Sequence, residues 1–196
     1  MKKRYILLLI AILTLSLTGC GSASEEVLTE SMRKIELTGN LVTYEAYYHN
    51  VIEYEKPKEN SLVGLFQEDR KLFAEYRGTI KLGIDLTKVK ITVKGNTINV
   101  FVPKATVIGK PNVDEDSFKK ENFIESQEGL LIKNPITIED SSKAFDQAQE
   151  EMKEAAMNDS LLLSTAQKRA KILLEENINQ FSGISSSKYK IEWEYE

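Results

Sequence analysis

One stretch of the chain constrains the fold more than any other. Over residues 71–86, apolar and mostly polar residues alternate for eight consecutive pairs. Successive side chains of a strand point to opposite faces of a sheet, so this alternation predicts a long strand with one buried face. We expect the strand to form the backbone of the sheet and to bend near Gly78 or Gly83. Its apolar residues are Leu72, Ala74, Tyr76, Gly78, Ile80, Leu82, Ile84 and Leu86.

A second long strand is predicted over residues 41–55. One face is expected to carry Val42, Tyr44, Ala46, Tyr48, Ile52 and Tyr54, and the other Thr43, Glu45, Tyr47, His49 and Glu53. Asn50 interrupts the apolar row, which predicts a β-bulge there. Shorter strands over 89–93 and 98–102 flank a Gly95-Asn96 turn, and another is expected over 189–195.

The helical part of the chain begins at Ser141 and is rich in alanine. One continuous helix of about forty residues would be ~60 Å long, longer than a domain of this size. Asn158, Asp159 and Ser160 are good capping residues, so we expect two helices or a sharp kink there. A shorter helix is predicted over 25–38. Together these elements predict an α+β fold, in which long C-terminal helices cover one face of an antiparallel-rich sheet and a final strand ends the chain.

The first twenty residues predict where the protein is located. Lys2, Lys3 and Arg4 precede an apolar run over residues 6–13, which is the order of a secretory signal. Residues 17–20, Leu-Thr-Gly-Cys, resemble the lipobox of bacterial lipoproteins, which implies cleavage between Gly19 and Cys20 and lipidation of Cys20. We therefore expect a signal peptide over 1–19, an acylated cysteine with a tether over 20–26, and a single domain over 27–196.

Composition narrows the functional classes. The chain has 26 basic and 30 acidic residues and a net charge of −4, and three of the basic residues lie in the leader. This charge argues against binding to nucleic acid. Cys20 is the only cysteine, so the domain is expected to lack a disulfide, a thiol nucleophile and a thiolate metal site. We expect no metal and no cofactor.

His49 is the only histidine, and it shares a strand face with Glu45 and Tyr47. These three residues are the candidate ligand-binding group, although the favoured interpretation of His49 is a structural or solvent-facing role. No catalytic constellation is visible in the sequence. The acidic run at 114–117 lacks the glycine and the final glutamate of a helix-loop-helix calcium site, so we interpret it as a solvated helix start. The tyrosine rows of the strands fit a core better than a carbohydrate or peptide platform.

Several stretches together resemble the uncharacterised bacterial family DUF4230. They are residues 41–45 (LVTYE), 76–86 (YRGTIKLGIDL), 98–100 (INV), 103–105 (PKA) and 167–171 (QKRAK). The resemblance covers residues 35–196. It implies one domain that continues to the C-terminus and supplies no catalytic residues.

The sequence therefore predicts a membrane-anchored, extracytoplasmic lipoprotein on the outer side of the cell membrane. The expected function is a non-enzymatic binding or interaction module with an envelope protein partner. Two alternatives remain open. One is a solute-binding lipoprotein of a transporter, although the chain is short for two lobes. The other is an envelope hydrolase that uses only carboxylates.

Overall fold

The computed structural model describes residues 38–126, 129, 131–180 and 189–196. They form two β-sheets and two long helices, α1 (Ile138–Asn158) and α2 (Ser160–Gln180). The leader, the tether and almost all of the helix predicted over 25–38 lie outside the described residues. The strands are β1 (Asn40–Lys56), β2 (Arg70–Asp85), β3 (Lys90–Lys94), β4 (Thr97–Val102), β5 (Thr106–Val107), β6 (Asn112–Val113), β7 (Phe123–Glu125) and β8 (Lys190–Tyr195).

The larger sheet is organised around β2, as the alternation predicts. β1 pairs with β2 in antiparallel orientation along its whole length, from Asn40 opposite Asp85 to Lys56 opposite Arg70. The other edge of β2 pairs with the short strands β7, β6 and β5, all antiparallel. The predicted strands and the α+β class are therefore confirmed.

The smaller sheet has the order β3-β4-β8. β3 and β4 form the predicted hairpin, and Gly95 at its turn has a φ of 57°, which glycine adopts without steric cost. The final strand β8 is also confirmed, but it pairs with β4 in parallel orientation. The sequence pattern predicted one sheet and did not show that the last strand belongs to a second one.

The hydrophobic core is formed by both sheets and the two helices, and includes Ile98, Val100 and Val102 of β4. α1 buries a residue at every fourth position, with Ala144, Ala148, Met152 and Ala156 each at most 1% exposed. Residues four apart lie on one face of a helix, and the short alanine side chains allow close approach to the sheet. The predicted helix break is confirmed at Asp159, whose carboxylate accepts hydrogen bonds from the N–H groups of Leu161 and Leu162 at 2.9 and 3.0 Å.

The β-bulge of β1 is not at Asn50, and that prediction was wrong. The register shifts between Val42 and Tyr44, so Thr43 is the extra residue. Thr43 therefore faces α2 and donates a hydrogen bond to the carbonyl of Ala166 at 2.7 Å, whereas Val42 is 42% exposed. Gly83 lies opposite the bulge, where a β-carbon would come within 1.9 Å of the Leu41 carbonyl oxygen. The close approach of the two backbones at Gly83 leaves no room for a side chain.

Candidate functional site

The predicted ligand-binding residues lie on the outer face of the larger sheet, away from the helices. Glu45, Tyr47 and His49 occupy alternate positions of β1 and are all exposed. Tyr47 is 82% exposed, so its ring is accessible to a ligand or partner on this face. The sequence predicted this shared face correctly because no register shift falls between Glu45 and His49.

A groove of about 620 Å³ crosses this face. Its volume lies within the range of ~300–1,000 Å³ that is usual for sites of small ligands. Three strands and the turn after β6 line it. The lining residues are Tyr47, Tyr48 and His49 from β1, Arg77, Gly78 and Thr79 from β2, Asn112 and Val113 from β6, and Asp114 and Glu115 from the turn.

The turn that forms one wall of the groove is held to β2 by the backbone. The N–H of Asp114 donates to the carbonyl of Arg77 at 2.9 Å. The Asp114 carboxylate in turn accepts a hydrogen bond from the N–H of Asp116 at 3.1 Å and caps a short 3₁₀ helix, Glu115–Phe118. The acidic run therefore starts a helix, as expected. Asp116 forms an exposed ion pair with Lys119 at 2.7 Å, whereas Asp114 and Glu115 line the groove.

His49 lies directly opposite Arg77 in the antiparallel register. Its Nε2 atom contacts the Oε1 atom of Glu75, and the two side chains are 57% and 62% exposed. An exposed pair of this kind contributes little to folding stability, because water competes for both groups. The contact directs the imidazole ring towards Glu75 on the outer face of the sheet.

Arg77 has no ion-pair or side-chain hydrogen-bond partner within the part of the chain that the structure describes. Its guanidinium is exposed at the groove, where five N–H donors are available to an incoming group. A planar carboxylate accepts two parallel hydrogen bonds from such a group. Asn112 adds an amide to the same groove, and Thr79 adds a hydroxyl. A carboxylate can therefore bind at Arg77, while Asp114 and Glu115 place two acidic side chains on the wall of the same groove.

Glu45 is not part of this groove. It lies on the same face, opposite Lys81 in the register, but outside the lining residues. The structure thus brings together two of the three predicted residues. It also adds Arg77 and Asn112, which the sequence analysis missed. The polar face of strand 71–86 was a signal for Arg77, but no sequence signal places Asn112 beside it, because β6 reaches β2 only through a tertiary contact.

The described residues contain no group of three or more histidine, cysteine, aspartate or glutamate side chains placed to hold a metal ion. Across the same residues, no helix has the length and apolar character needed to cross a membrane. Gly19 and Cys20 lie outside the described residues, so cleavage and lipidation stay predictions.

Comparison with known families gives a match over residues 33–190 to the family described as "Protein of unknown function (DUF4230)". The match includes both long strands and both helices, and it covers nearly all of the region in which the resemblance was noted. No curated protein matches the chain, and no solved structure matches it.

Proposed function

The chain belongs to the DUF4230 family, and from this starting point we propose that it is a lipid-anchored, extracytoplasmic binding protein for a ligand that carries a carboxylate. The ligand is of the size of a short peptide and binds in the groove on the outer face of the larger sheet. The observation that carries the proposal is the exposed guanidinium of Arg77, which has no partner within the described residues and lies beside His49 and Tyr47 in a groove of about 620 Å³.

Arg77 favours a carboxylate on the ligand, whereas Asp114 and Glu115 on the wall of the same groove favour a second group that is positive or donates hydrogen bonds, such as the N-terminal ammonium of a peptide. The guanidinium of Arg77 supplies a fixed positive charge and a fork of donors that matches a carboxylate. Because Arg77 is exposed to water, its ion pair with a carboxylate is worth up to about 1 kcal/mol, which corresponds to roughly 5-fold in affinity. The exposed Tyr47 ring offers an apolar surface for the remainder of the ligand, with its hydroxyl still in contact with water.

Two matched peptide libraries test the groove. We expect random tetrapeptides with free C-terminal carboxylates to raise the unfolding temperature of the wild-type protein, and the same peptides with amidated C-termini to raise it less. Arg77→Ala should remove most of the difference between the libraries. Lys81→Ala is the matched control, because Lys81 is on the same face of β2 but outside the groove. Equal shifts in Arg77→Ala and wild type would refute the proposal.

The anchor is proposed from residues 17–20, and it is tested separately. Two or three acyl chains hold a protein on a bilayer far more firmly than one, because each buried methylene contributes ~0.8 kcal/mol. Cys20→Ala should therefore leave the membrane fraction or accumulate as an uncleaved precursor. Ser24→Ala, four residues further along the tether, should behave like wild type. If Cys20→Ala is processed and fractionates normally, the protein is not a lipoprotein of this type.

A further inference from the structure

β1 is an edge strand of unusual length. It has 17 residues, and among the described strands it pairs only with β2. An unpaired edge presents a row of N–H and C=O groups to which another strand can bind, so proteins commonly shorten or block such edges. The typical strand has only 5–6 residues. The free edge of β1 is therefore a potential interaction surface.

The hydrogen bonds of β2 identify the groups on this free edge. The carbonyls of Lys71, Arg77 and Lys81 accept from Ser126, Asp114 and Ile108, which all lie on the side of β2 away from β1. The backbone N–H and C=O groups of the odd-numbered residues of β2 therefore point away from β1. Those of its even-numbered residues form the hydrogen bonds with β1. After the bulge their partners in β1 are also even-numbered, from Tyr44 to Lys56. The odd-numbered residues of β1 consequently present their N–H and C=O groups to the free edge.

Side chains of the protein itself block both ends of this edge. At one end, Arg169 Nη1 donates to the carbonyl of Thr43 at 3.4 Å. At the other, the N–H of Val51 donates to Asn50 Oδ1 at 2.9 Å, and Gln147 Nε2 donates to the carbonyl of Glu53 at 3.3 Å. The part of the edge between these contacts consists of three residues, Glu45, Tyr47 and His49, with Tyr47 at its centre.

We propose that this open edge pairs with the same edge of a second copy of the chain. A two-fold axis through Tyr47 places the two β1 strands antiparallel, with Tyr47 opposite Tyr47 and Glu45 of each copy opposite His49 of the other. The three facing pairs are all hydrogen-bonded pairs, because Glu45, Tyr47 and His49 each direct their backbone N–H and C=O groups to the free edge. Aromatic pairs at facing positions stabilise antiparallel strands, and Tyr47 lies opposite its own copy at the axis. The edge is therefore complementary to itself in its backbone groups and in the Tyr47 pair, as a two-fold interface requires.

The pairing joins two five-stranded sheets into one continuous sheet. Because the axis is perpendicular to the sheet, both outer faces point to the same side, and the grooves of the two copies lie side by side. Tyr47 of the second copy then borders the groove of the first. Glu45, which lies outside the groove of its own chain, then lies opposite His49 of the second copy. This inference does not depend on the lipid anchor or on the identity of a ligand.

Cysteine crosslinking tests the register of the interface. In a hydrogen-bonded antiparallel pair the Cα atoms are ~5.5 Å apart, which is within the range for a disulfide. Tyr47→Cys in the full-length chain should therefore form a disulfide dimer on oxidation of a fresh lysate. The apparent mass on a non-reducing gel should double and return to that of the monomer after reduction. The parent chain, which retains Cys20, reports the background.

A matched pair of variants distinguishes this register from random collision. Glu45 of one copy is four residues, or ~13 Å, from Glu45 of the other, so Glu45→Cys alone should not crosslink. Co-expression of Glu45→Cys with His49→Cys should restore the dimer. Equal dimer from Tyr47→Cys and Glu45→Cys, or none above background from Tyr47→Cys, would overturn the proposal. The second result is also expected if the edge binds a strand of a different protein.

Tyr47→Pro provides a second measurement without oxidation. Proline removes an N–H that points to the free edge, so the hydrogen bonds between β1 and β2 are kept and the fold is retained. We expect the purified full-length protein to be a dimer by light scattering and Tyr47→Pro to be a monomer with an unchanged circular dichroism spectrum. A wild-type monomer at concentrations well above those in the lysate would refute the pairing.

Discussion

Asp140 allows the most detailed prediction about stability. Its carboxylate is nearly buried and lies at the start of α1, where it accepts hydrogen bonds from Lys56 Nζ at 2.8 Å and from the Thr137 N–H at 2.8 Å. Thr137 Oγ1 also donates to it, at 2.6 Å, and Tyr54 donates at 3.3 Å. One side chain therefore completes the capping box of α1 and neutralises a largely buried lysine of β1.

The expected cost of Asp140→Ala follows from these partners. Loss of a helix cap costs ~1 kcal/mol. Removing one member of a fully buried ion pair costs about 3–5 kcal/mol, because the other charge stays buried without a partner. The side chain of Lys56 is 21% exposed and keeps a hydrogen bond to the Pro135 carbonyl at 2.8 Å, which reduces this second cost. We expect a total loss of about 2–4 kcal/mol in the free energy of unfolding.

Urea unfolding followed by circular dichroism measures this loss. The neighbouring Glu139→Ala is the matched control, because Glu139 forms only an exposed ion pair with Lys143 at 2.8 Å and should cost less than ~0.5 kcal/mol. Asp140→Asn keeps an acceptor but not the charge, so its stability should fall between those of wild type and Asp140→Ala. A loss below ~1 kcal/mol for Asp140→Ala would show that this network does not stabilise the junction of α1 and β1.

Three further predictions concern pH and packing. Burial raises the pKa of Asp140, but the hydrogen bonds from Lys56 and Thr137 outweigh this effect and keep the pKa below 3.8. The free energy of unfolding should therefore fall as the pH is lowered from about 4 through the pKa of the folded state. Measured by urea unfolding at each pH, this fall should be shallower in Asp140→Asn. Met152→Ala, at 1% exposure, should cost about 2–5 kcal/mol in urea unfolding, against less than ~1 kcal/mol for the exposed Met157→Ala. Gly83→Ala should lower the free energy of unfolding by ~3 kcal/mol and lower the melting temperature, because the new β-carbon would lie 1.9 Å from a carbonyl oxygen of β1. Gly129→Ala is the control and should change little, because the nearest atom to its new β-carbon is 3.4 Å away. Equal costs within either pair of variants would contradict the packing described above.

Alternation and capping were the reliable signals in the sequence. The strands predicted over 41–55 and 71–86 are observed as Asn40–Lys56 and Arg70–Asp85. Both strands were predictable because one face of each is buried. Apolar residues therefore occupy the buried face and mostly polar residues the exposed one, which gives the alternation in the sequence. The break between the helices was predictable for a similar local reason, since Asp159 caps the N–H groups of the residues that follow it.

The position of the bulge was not predictable in the same way. Val42 is apolar and continues the alternating row, so the pattern gave no sign that Thr43 is the extra residue. The bulge depends on the register between the two long strands and on the absence of a side chain at Gly83. The parallel pairing of β8 with β4 could not be predicted from local sequence patterns either, because nearly ninety residues separate the two strands in the chain.

The candidate site, too, was predictable from the sequence only in part. The sequence by itself determined that Tyr47 and His49 share an exposed face of a long strand, because a strand has a period of two and that face carries polar residues. Only the tertiary structure decided that Arg77 lies opposite His49, that Asn112 joins them, and that Glu45 stays outside the groove. The physical reason is that the alternation of a strand is local, whereas its register and its free edge are set by the strands and helices that pack against it.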